Sequence, residues 1–291
     1  MSAVAQASHR VLVIGSGWVG AGAARAVAAR GAEVGVIDIP THPWLADRDH
    51  AATAALRAEL TAIDATAVIN TAGLLRGSDQ AMESANVAFP TWLVEALGDA
   101  GVRLVHIGSA AEYGDPGSAE PIVEASPCNP TGPYGITKHA GTRAVLAARD
   151  RGLDAVVGRG FNLVGDRLPP SSPLGQWLTD VAALPISGGM IEVWEGRTFR
   201  DFILLDDLAA GLAALAVAPE VPDIVNLCSS TGLHYGEIVE SLVSAAGKSA
   251  EVRSLGQGGI MAVVGDNRRL ESIAGIDPQM SLRIVAERAS L

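Results

Sequence analysis

Short apolar runs alternate with longer stretches of helical spacing along the 291 residues, the pattern of strands buried on both faces and joined by amphipathic helices. The first run, Val-Leu-Val-Ile at 11–14, stops at a glycine-rich turn, 15–20, and passes directly into an Ala-rich helical stretch. Further buried runs occupy 33–38, 67–70, 102–107, 155–158 and 224–228, with helical spacing over 51–60, 82–97 and from Tyr134 onward. Residues 39–49 and 115–133 carry the prolines and polar residues of loops. A strand is expected between Asp38 and Ala51 to complete the alternation, but nothing there has strand character. At 169–173, Pro-Pro-Ser-Ser-Pro breaks the alternation. The pattern predicts an α/β chain with a doubly wound parallel sheet over 8–165, taking back segments at about 198–230, and a smaller C-terminal domain from 166–197 and 231–291.

The turn Gly15-Ser-Gly-Trp-Val-Gly20 gives this sheet a chemistry. Between a buried strand and a helix, Gly15 suits the tight turn, Gly17 lets backbone N–H groups approach a pyrophosphate, and Gly20 lets the helix pack on the strand. The helix N-terminus adds partial positive charge. Asp38 ends the second run about 20 residues on, where a carboxylate grips ribose hydroxyls and opposes a 2′-phosphate, so NAD is the expected cofactor rather than NADP. The next basic residue, Arg48, is too far along to serve a phosphate. Thr71, Ala72 and Gly73 follow the 67–70 run as a turn along the cofactor, and Ser109 lies at the carboxyl end of the next strand. Tyr134 and Lys138, four apart, share one face of the long helix.

Composition narrows the partners. A formal charge of -11 argues against nucleic-acid or anionic-membrane surfaces, so local basic residues must bind any anionic ligand. Cys128 and Cys228 are too few for a disulfide framework and read as reduced thiols of a cytoplasmic protein. The six histidines have no ligand spacing, so no metal is expected. No apolar run is long enough to span a membrane, and residues 1–10 lack the apolar middle of a signal peptide.

In this order the pieces resemble the extended short-chain dehydrogenase/reductase family of nucleotide-sugar epimerases, dehydratases and reductases. The landmarks are the 15–20 turn, Asp38, Ser109-Ala-Ala-Glu-Tyr-Gly114, Tyr134 to Lys138, Arg159-Gly-Phe-Asn162, Arg200-Asp-Phe-Ile with Asp206-Asp207-Leu, Asn226 and Asp266-Asn-Arg-Arg-Leu. The resemblance implies a Rossmann-like domain with a smaller domain closing over a nucleotide sugar. It implies cofactor contacts from Gly15, Gly17, Trp18, Val19, Gly20, Asp38, Ile39, Thr71, Ala72, Gly73, Tyr134, Lys138 and Phe161, with Lys138 on the nicotinamide ribose. Substrate contacts would come from Ser109, Ala110, Asn162 and Arg200, the last two meeting the sugar nucleotide and its diphosphate. A strand-end cap for Asn162 and a surface ion pair of Arg200 with Asp201 are the alternatives. The resemblance also implies a homodimer paired through two helices, with apolar positions at Trp92, Leu93, Ala96, Leu97, Ala144, Val145 and Ala148.

Two departures narrow the activity. Dehydratases of this family carry an acid at one or both positions after the active-site Ser or Thr, where this chain has Ala110 and Ala111. Glu112, one place later, is expected to point elsewhere on an extended segment. The Ser-x-x-Glu-Tyr-Gly pattern looks most like reductases of nucleotide 4-keto-6-deoxy sugars. Catalysis would then rest on Ser109, Tyr134 and Lys138: Tyr134 moves the proton, Ser109 holds the reacting oxygen, and positive neighbours favour the phenolate. A C4 epimerase with tightly held NAD and a non-catalytic dinucleotide sensor are the competing readings. The missing strand also leaves adenine without an acidic partner, neither Asp47 nor Asp49 having a strand before it.

Overall fold

Six strands form the main sheet of the computed structural model, which describes residues 9–118, 120–186, 188–194, 198–256 and 262–289. They are β1 (Arg10–Ile14), β2 (Glu33–Ile37), β3 (Ala67–Asn70), β4 (Arg103–Ser109), β5 (Ala155–Gly160) and, after β6 (Asn162–Val164), β7 (Met190–Trp194) and β8 (Phe199–Leu204), β9 (Ile224–Leu227). Their order is β2-β1-β3-β4-β5-β9, with parallel pairing of β1 to β2 and β3 and of β3 to β4. The buried apolar runs fall on these strands because both faces of a parallel sheet are covered by helices. α1 (Trp18–Ala29), α2 (His50–Ala62), α3 (Asp79–Glu83), α4 (Phe89–Leu97) and α5 (Pro133–Asp150) alternate with them.

No strand lies between Ile37 and Ala67, where all residues are described; a short 3-10 turn at Pro43–Ala46 buries Leu45 instead. β2 is therefore the sheet edge, and Val36 on it is 42% exposed. The helix expected over 82–97 begins earlier, at Asp79, where Ser78 accepts the Ala81 N–H as its cap, and a π-helical turn at Ser84–Ala88 interrupts it.

The chain divides into two compact units. Met1–Gly108, Ala140–Gly158 and Ala209–Ile224 form the first; Ser109–His139, Arg159–Leu208 and Val225–Leu291 form the second. In the first, Leu12, Ile14, Leu56, Val68, Leu93, Leu104, Val145 and Val157 pack into one core. Trp92, Leu93, Ala96, Leu97, Val145 and Ala148, the apolar positions proposed for a dimer face, are buried in that same core, whereas Ala144 is half-buried. Their spacing is thus accounted for within one chain.

The second unit is built around β8. It pairs with β6 in parallel, β10 (Gly232–His234) antiparallel, and, beyond β11 (Glu251–Leu255), β12 (Ala262–Val263) in parallel. β11 pairs β7 in a separate two-stranded ladder. Helices α6 (Pro173–Ala183), α8 (Tyr235–Ala245), α9 (Arg268–Ala274) and α10 (Leu282–Arg288) belong here, while α7 (Leu205–Val217) starts here and ends in the first unit. Asp201 ties this unit together: fully buried, it accepts from the Ser229 N–H and hydroxyl at 2.9 Å each and from the Gly265 N–H at 3.1 Å. Burial pushes its carboxyl up to about 6 against those donors.

Candidate active site

In the first unit, β1 ends at Gly15, whose φ of +102° places it where L side chains are strained. A Cβ on Gly20 would lie 1.9 Å from the Gly15 carbonyl oxygen, so only glycine lets α1 close on the turn. A Cβ on Gly17 would meet nothing within 4 Å. Gly17 is the N-cap of α1 without a side-chain hydrogen bond, and the first turn carries no acidic residue. The backbone at Gly17 is thus open to close approach at a helix N-terminus without a side-chain cap, so the loop fits the dinucleotide expected there. Trp18 and Val19 begin the helix. Thr71 holds the opposite side by donating its hydroxyl to the Ile14 carbonyl at 2.9 Å. Ala72 N–H is fixed by buried Asn70 at 3.0 Å, and Gly73 follows.

Asp38 stands at the end of β2, half-buried, accepting from the Ser16 hydroxyl of the glycine turn and from Thr41 Oγ1 at 3.0 Å. The Ser16 bond, with Thr41 behind it, holds its carboxyl below the usual range. Ile39 beside it is 51% exposed. Arg48 donates to Ser84 Oγ at 2.9 Å and to its carbonyl at 3.1 Å. Asn86 is not among the site residues that the sequence pattern predicts. It sits in the π-helical turn, fully buried, and clamps the backbone of Leu74 with two bonds of 2.8 and 2.9 Å.

In the second unit, Ser109, Tyr134 and Lys138 come together. Ser109 ends β4 and caps a 3-10 turn, Ala110–Glu112, accepting the Ala111 N–H at 3.2 Å. Tyr134 and Lys138 lie one turn apart at the start of α5, and the Ser109 side chain is near enough to Tyr134 to act on its phenol. Gly135 permits that approach, since a Cβ there would lie 2.5 Å from the Ala111 carbonyl oxygen. Burial pushes the Tyr134 phenol above its usual value, with the Ser109 bond opposing and Glu112 reinforcing. Burial brings the Lys138 ammonium down to about 8, Glu112 opposing. Within the chain itself, burial and Glu112 thus favour the neutral phenol of Tyr134.

The expectation for Glu112 is corrected. The segment after Ser109 is helical, not extended, so Glu112 turns inward to complete burial. Its Oε1 accepts the Ser109 N–H at 2.8 Å and its Oε2 accepts Arg159 Nε at 3.0 Å. The alternation of an extended strand does not apply to a 3-10 turn; the Ser-x-x-Glu spacing of a capping box was the available signal. Ala110 is buried and Ala111 exposed, and neither supplies an acid. Phe161 packs its ring among Ala110, Tyr113, Ile122 and Cys228. Asn162 donates to the Asp201 carbonyl at 2.8 Å. Arg200 is 9% exposed, donates to the Phe199 carbonyl at 2.9 Å and lies 5.6 Å from the centre of the Tyr235 ring. The alternative of a surface ion pair with Asp201 fails, because Asp201 is buried and bonded to Ser229 and Gly265. Cys128 and Cys228 are free thiols. Among the described residues no group of His, Cys, Asp or Glu could hold a metal, and no helix is long and apolar enough to cross a membrane.

With both half-sites built, the sequence matches the family model for NAD dependent epimerases and dehydratases over residues 11–228. The chain belongs to that NAD-dependent epimerase/dehydratase family. Within the family it is 30% identical to a dTDP-6-deoxy-L-talose 4-dehydrogenase (NAD(P)(+)) of Kitasatospora kifunensis, over 87% of this chain and 84% of that protein. It is 34% identical to a UDP-glucose 4-epimerase of Streptomyces lividans over 56% of this chain, spanning about half (53%) of that relative's length. The fold matches RMD from Pseudomonas aeruginosa complexed with NADPH at a TM-score of 0.80 and 24% identity, covering 97% and 96% of the two chains. It also matches UDP-glucuronic acid 4-epimerase from Bacillus cereus in complex with NAD at 0.80 and 19% identity, covering 96% and 97%. The Rossmann-like α/β class and the membership in a family of nucleotide-sugar enzymes stand on these matches.

Proposed function

We propose that the protein is an NAD-dependent reductase of a nucleotide-linked 4-keto-6-deoxy sugar. The observation that carries this reading is the grouping of Ser109, at the end of β4, with Tyr134 and Lys138 one turn apart on α5, beside two alanines where dehydration calls for an acid. Gly15, Gly17, Trp18, Val19 and Gly20 would hold the pyrophosphate side of the dinucleotide, Asp38 and Ile39 its adenosine ribose, and Thr71, Ala72 and Gly73 its flank. When bound, the dinucleotide supplies the hydride. Ser109 aligns the carbonyl oxygen, Tyr134 Oη gives that oxygen its proton, and the Lys138 ammonium steadies the phenolate left behind. Arg200 and Asn162 would take the diphosphate and sugar, the guanidinium forking two phosphate oxygens from a place fixed by Tyr235. The relative matched over most of its length is named as a dehydrogenase of a dTDP-6-deoxy sugar, which favours net oxidoreduction over epimerisation.

The second reading, C4 epimerisation, is favoured by the several UDP-glucose 4-epimerases among the relatives. The two part on one assay. Stoichiometric NADH loss with a nucleotide 4-keto-6-deoxy sugar supports the reductase; interconversion of hydroxyl epimers with no NADH loss, and NAD retained through purification, supports the epimerase. The smaller substrate domain, a cytoplasmic location and a homodimer belong to the same proposal.

A further inference from the structure

Behind Ser109, Tyr134 and Lys138 lies a carboxylate that the proposed chemistry does not use. Glu112 is fully buried, and its two oxygens are assigned separately: one to the Ser109 N–H, one to the Arg159 guanidinium. His139, next to Lys138 on α5, brings Nδ1 to 3.8 Å from Oε2. Arg159 is itself 2% exposed and lies 4.6 Å from the centre of the Tyr113 ring; the Tyr113 hydroxyl donates to Asn226 Oδ1 at 2.7 Å. A buried ion pair of this kind gains little stability over apolar packing, so its presence beside a reacting centre calls for another account.

We propose that Glu112 is a positioning residue for this site: held by Arg159, its carboxylate fixes the turn that presents Ser109 and sets a constant negative charge behind the Tyr134–Lys138 pair. The ionisable groups around it are Arg159 on β5, Tyr134, Lys138 and His139 on α5, Tyr113 on its own turn and Cys128 on the following loop. Burial alone would drive the Glu112 carboxyl up. The His139 contact, the Arg159 charge, the Ser109 N–H and the Lys138 ammonium together hold it below its ordinary value, so it stays charged. That charge opposes the loss of a proton from Lys138, which burial favours, and it opposes phenolate formation at Tyr134. Both effects keep the pair in its proton-donating form: Tyr134 neutral and Lys138 positive.

Lys138 and Lys248 are the only lysines in the chain, so lysine-selective 13C labelling reports both side chains by NMR. In the wild-type protein Lys138 should titrate at about 8. In Glu112→Gln, which keeps the shape and an acceptor for Ser109, its midpoint should fall by about one pH unit, with Lys248 unchanged. The alkaline limb of the reduction rate should move down with it. Should Glu112→Gln fail to fold with Arg159 left unpaired, the double variant Glu112→Gln, Arg159→Gln is compared with Arg159→Gln alone, since loss of the guanidinium itself favours a protonated Lys138, and the midpoint should be lower in the double variant. An unmoved Lys138 midpoint in folded Glu112→Gln, or equal midpoints in that second pair, overturns the proposal. The kinetic part rests on the reductase reading, so Tyr134→Phe is measured beside it. Loss of turnover in Tyr134→Phe with an unmoved Lys138 midpoint in Glu112→Gln defeats the Glu112 assignment alone. Full turnover in Tyr134→Phe defeats the reductase reading and, with it, the positioning role.

Discussion

At the scale of single residues, the proposed cofactor preference and the proposed acid both rest on where charges sit. Asp38 is half-buried and ionised, held toward the glycine turn by Ser16 and Thr41, so a 2′-phosphate would meet a fixed negative charge. Relatives and neighbours carry both NAD and NADP names, which makes the residue a useful test. Asp38→Ala should weaken NAD and narrow the NAD-to-NADP preference roughly tenfold in fluorescence titrations of both cofactors; an unchanged ratio contradicts the role. Lys138 carries a stability cost that its chemistry explains. Its pKa is depressed from 10.5 to about 8 in the folded protein. Between those values the unfolded chain binds the extra proton, so stability must rise with pH there, by up to about 1.4 kcal/mol per pH unit. Chemical denaturation should show this rise in the wild type relative to Lys138→Met, and parallel curves for the two would contradict it. Tyr134 and Lys138 were legible in the sequence because helical spacing alone puts them on one face. Glu112 was misjudged because a strand end and a 3-10 turn look alike over three residues.

At the scale of elements, glycines mark where backbone meets backbone. Gly135 sits against the Ala111 carbonyl at the start of α5, and Gly141 would place a Cβ 2.1 Å from the Asn86 carbonyl oxygen in the π-helical turn. Gly135→Ala should push α5 from the turn bearing Ser109, costing about 1–3 kcal/mol of stability. Because Tyr134 and Ser109 sit on the two parts being separated, kcat should fall further than thermal stability implies. A folded variant with wild-type kcat would contradict that account. The strands were readable as continuous apolar runs, which explains why β3 was found at its full extent, residues 67–70. The π-helical turn and the early start of α3 were not, since both depend on how Asn86 and Gly141 pack rather than on periodicity. The absent strand after β2 was visible as a lack of pattern, and the 3-10 turn that buries Leu45 fills part of that stretch.

At the scale of the whole molecule, the family matches and the two half-sites point the same way, but the apolar helix faces do not bear on assembly. Trp92, Leu93, Ala96, Leu97, Val145 and Ala148 are spent on the core of one chain, so a homodimer would need other residues of these helices. Light scattering at micromolar concentration should give twice the 29.8 kDa chain mass; the mass of a single chain would remove the dimer. The central claim is that Tyr134 is the proton donor of an NADH-dependent reduction. Its most direct test is NADH loss with a nucleotide 4-keto-6-deoxy sugar, comparing wild type with Tyr134→Phe. The variant should bind NADH as the wild type does and turn over roughly 10²–10⁴-fold more slowly; turnover at the wild-type rate would contradict the account.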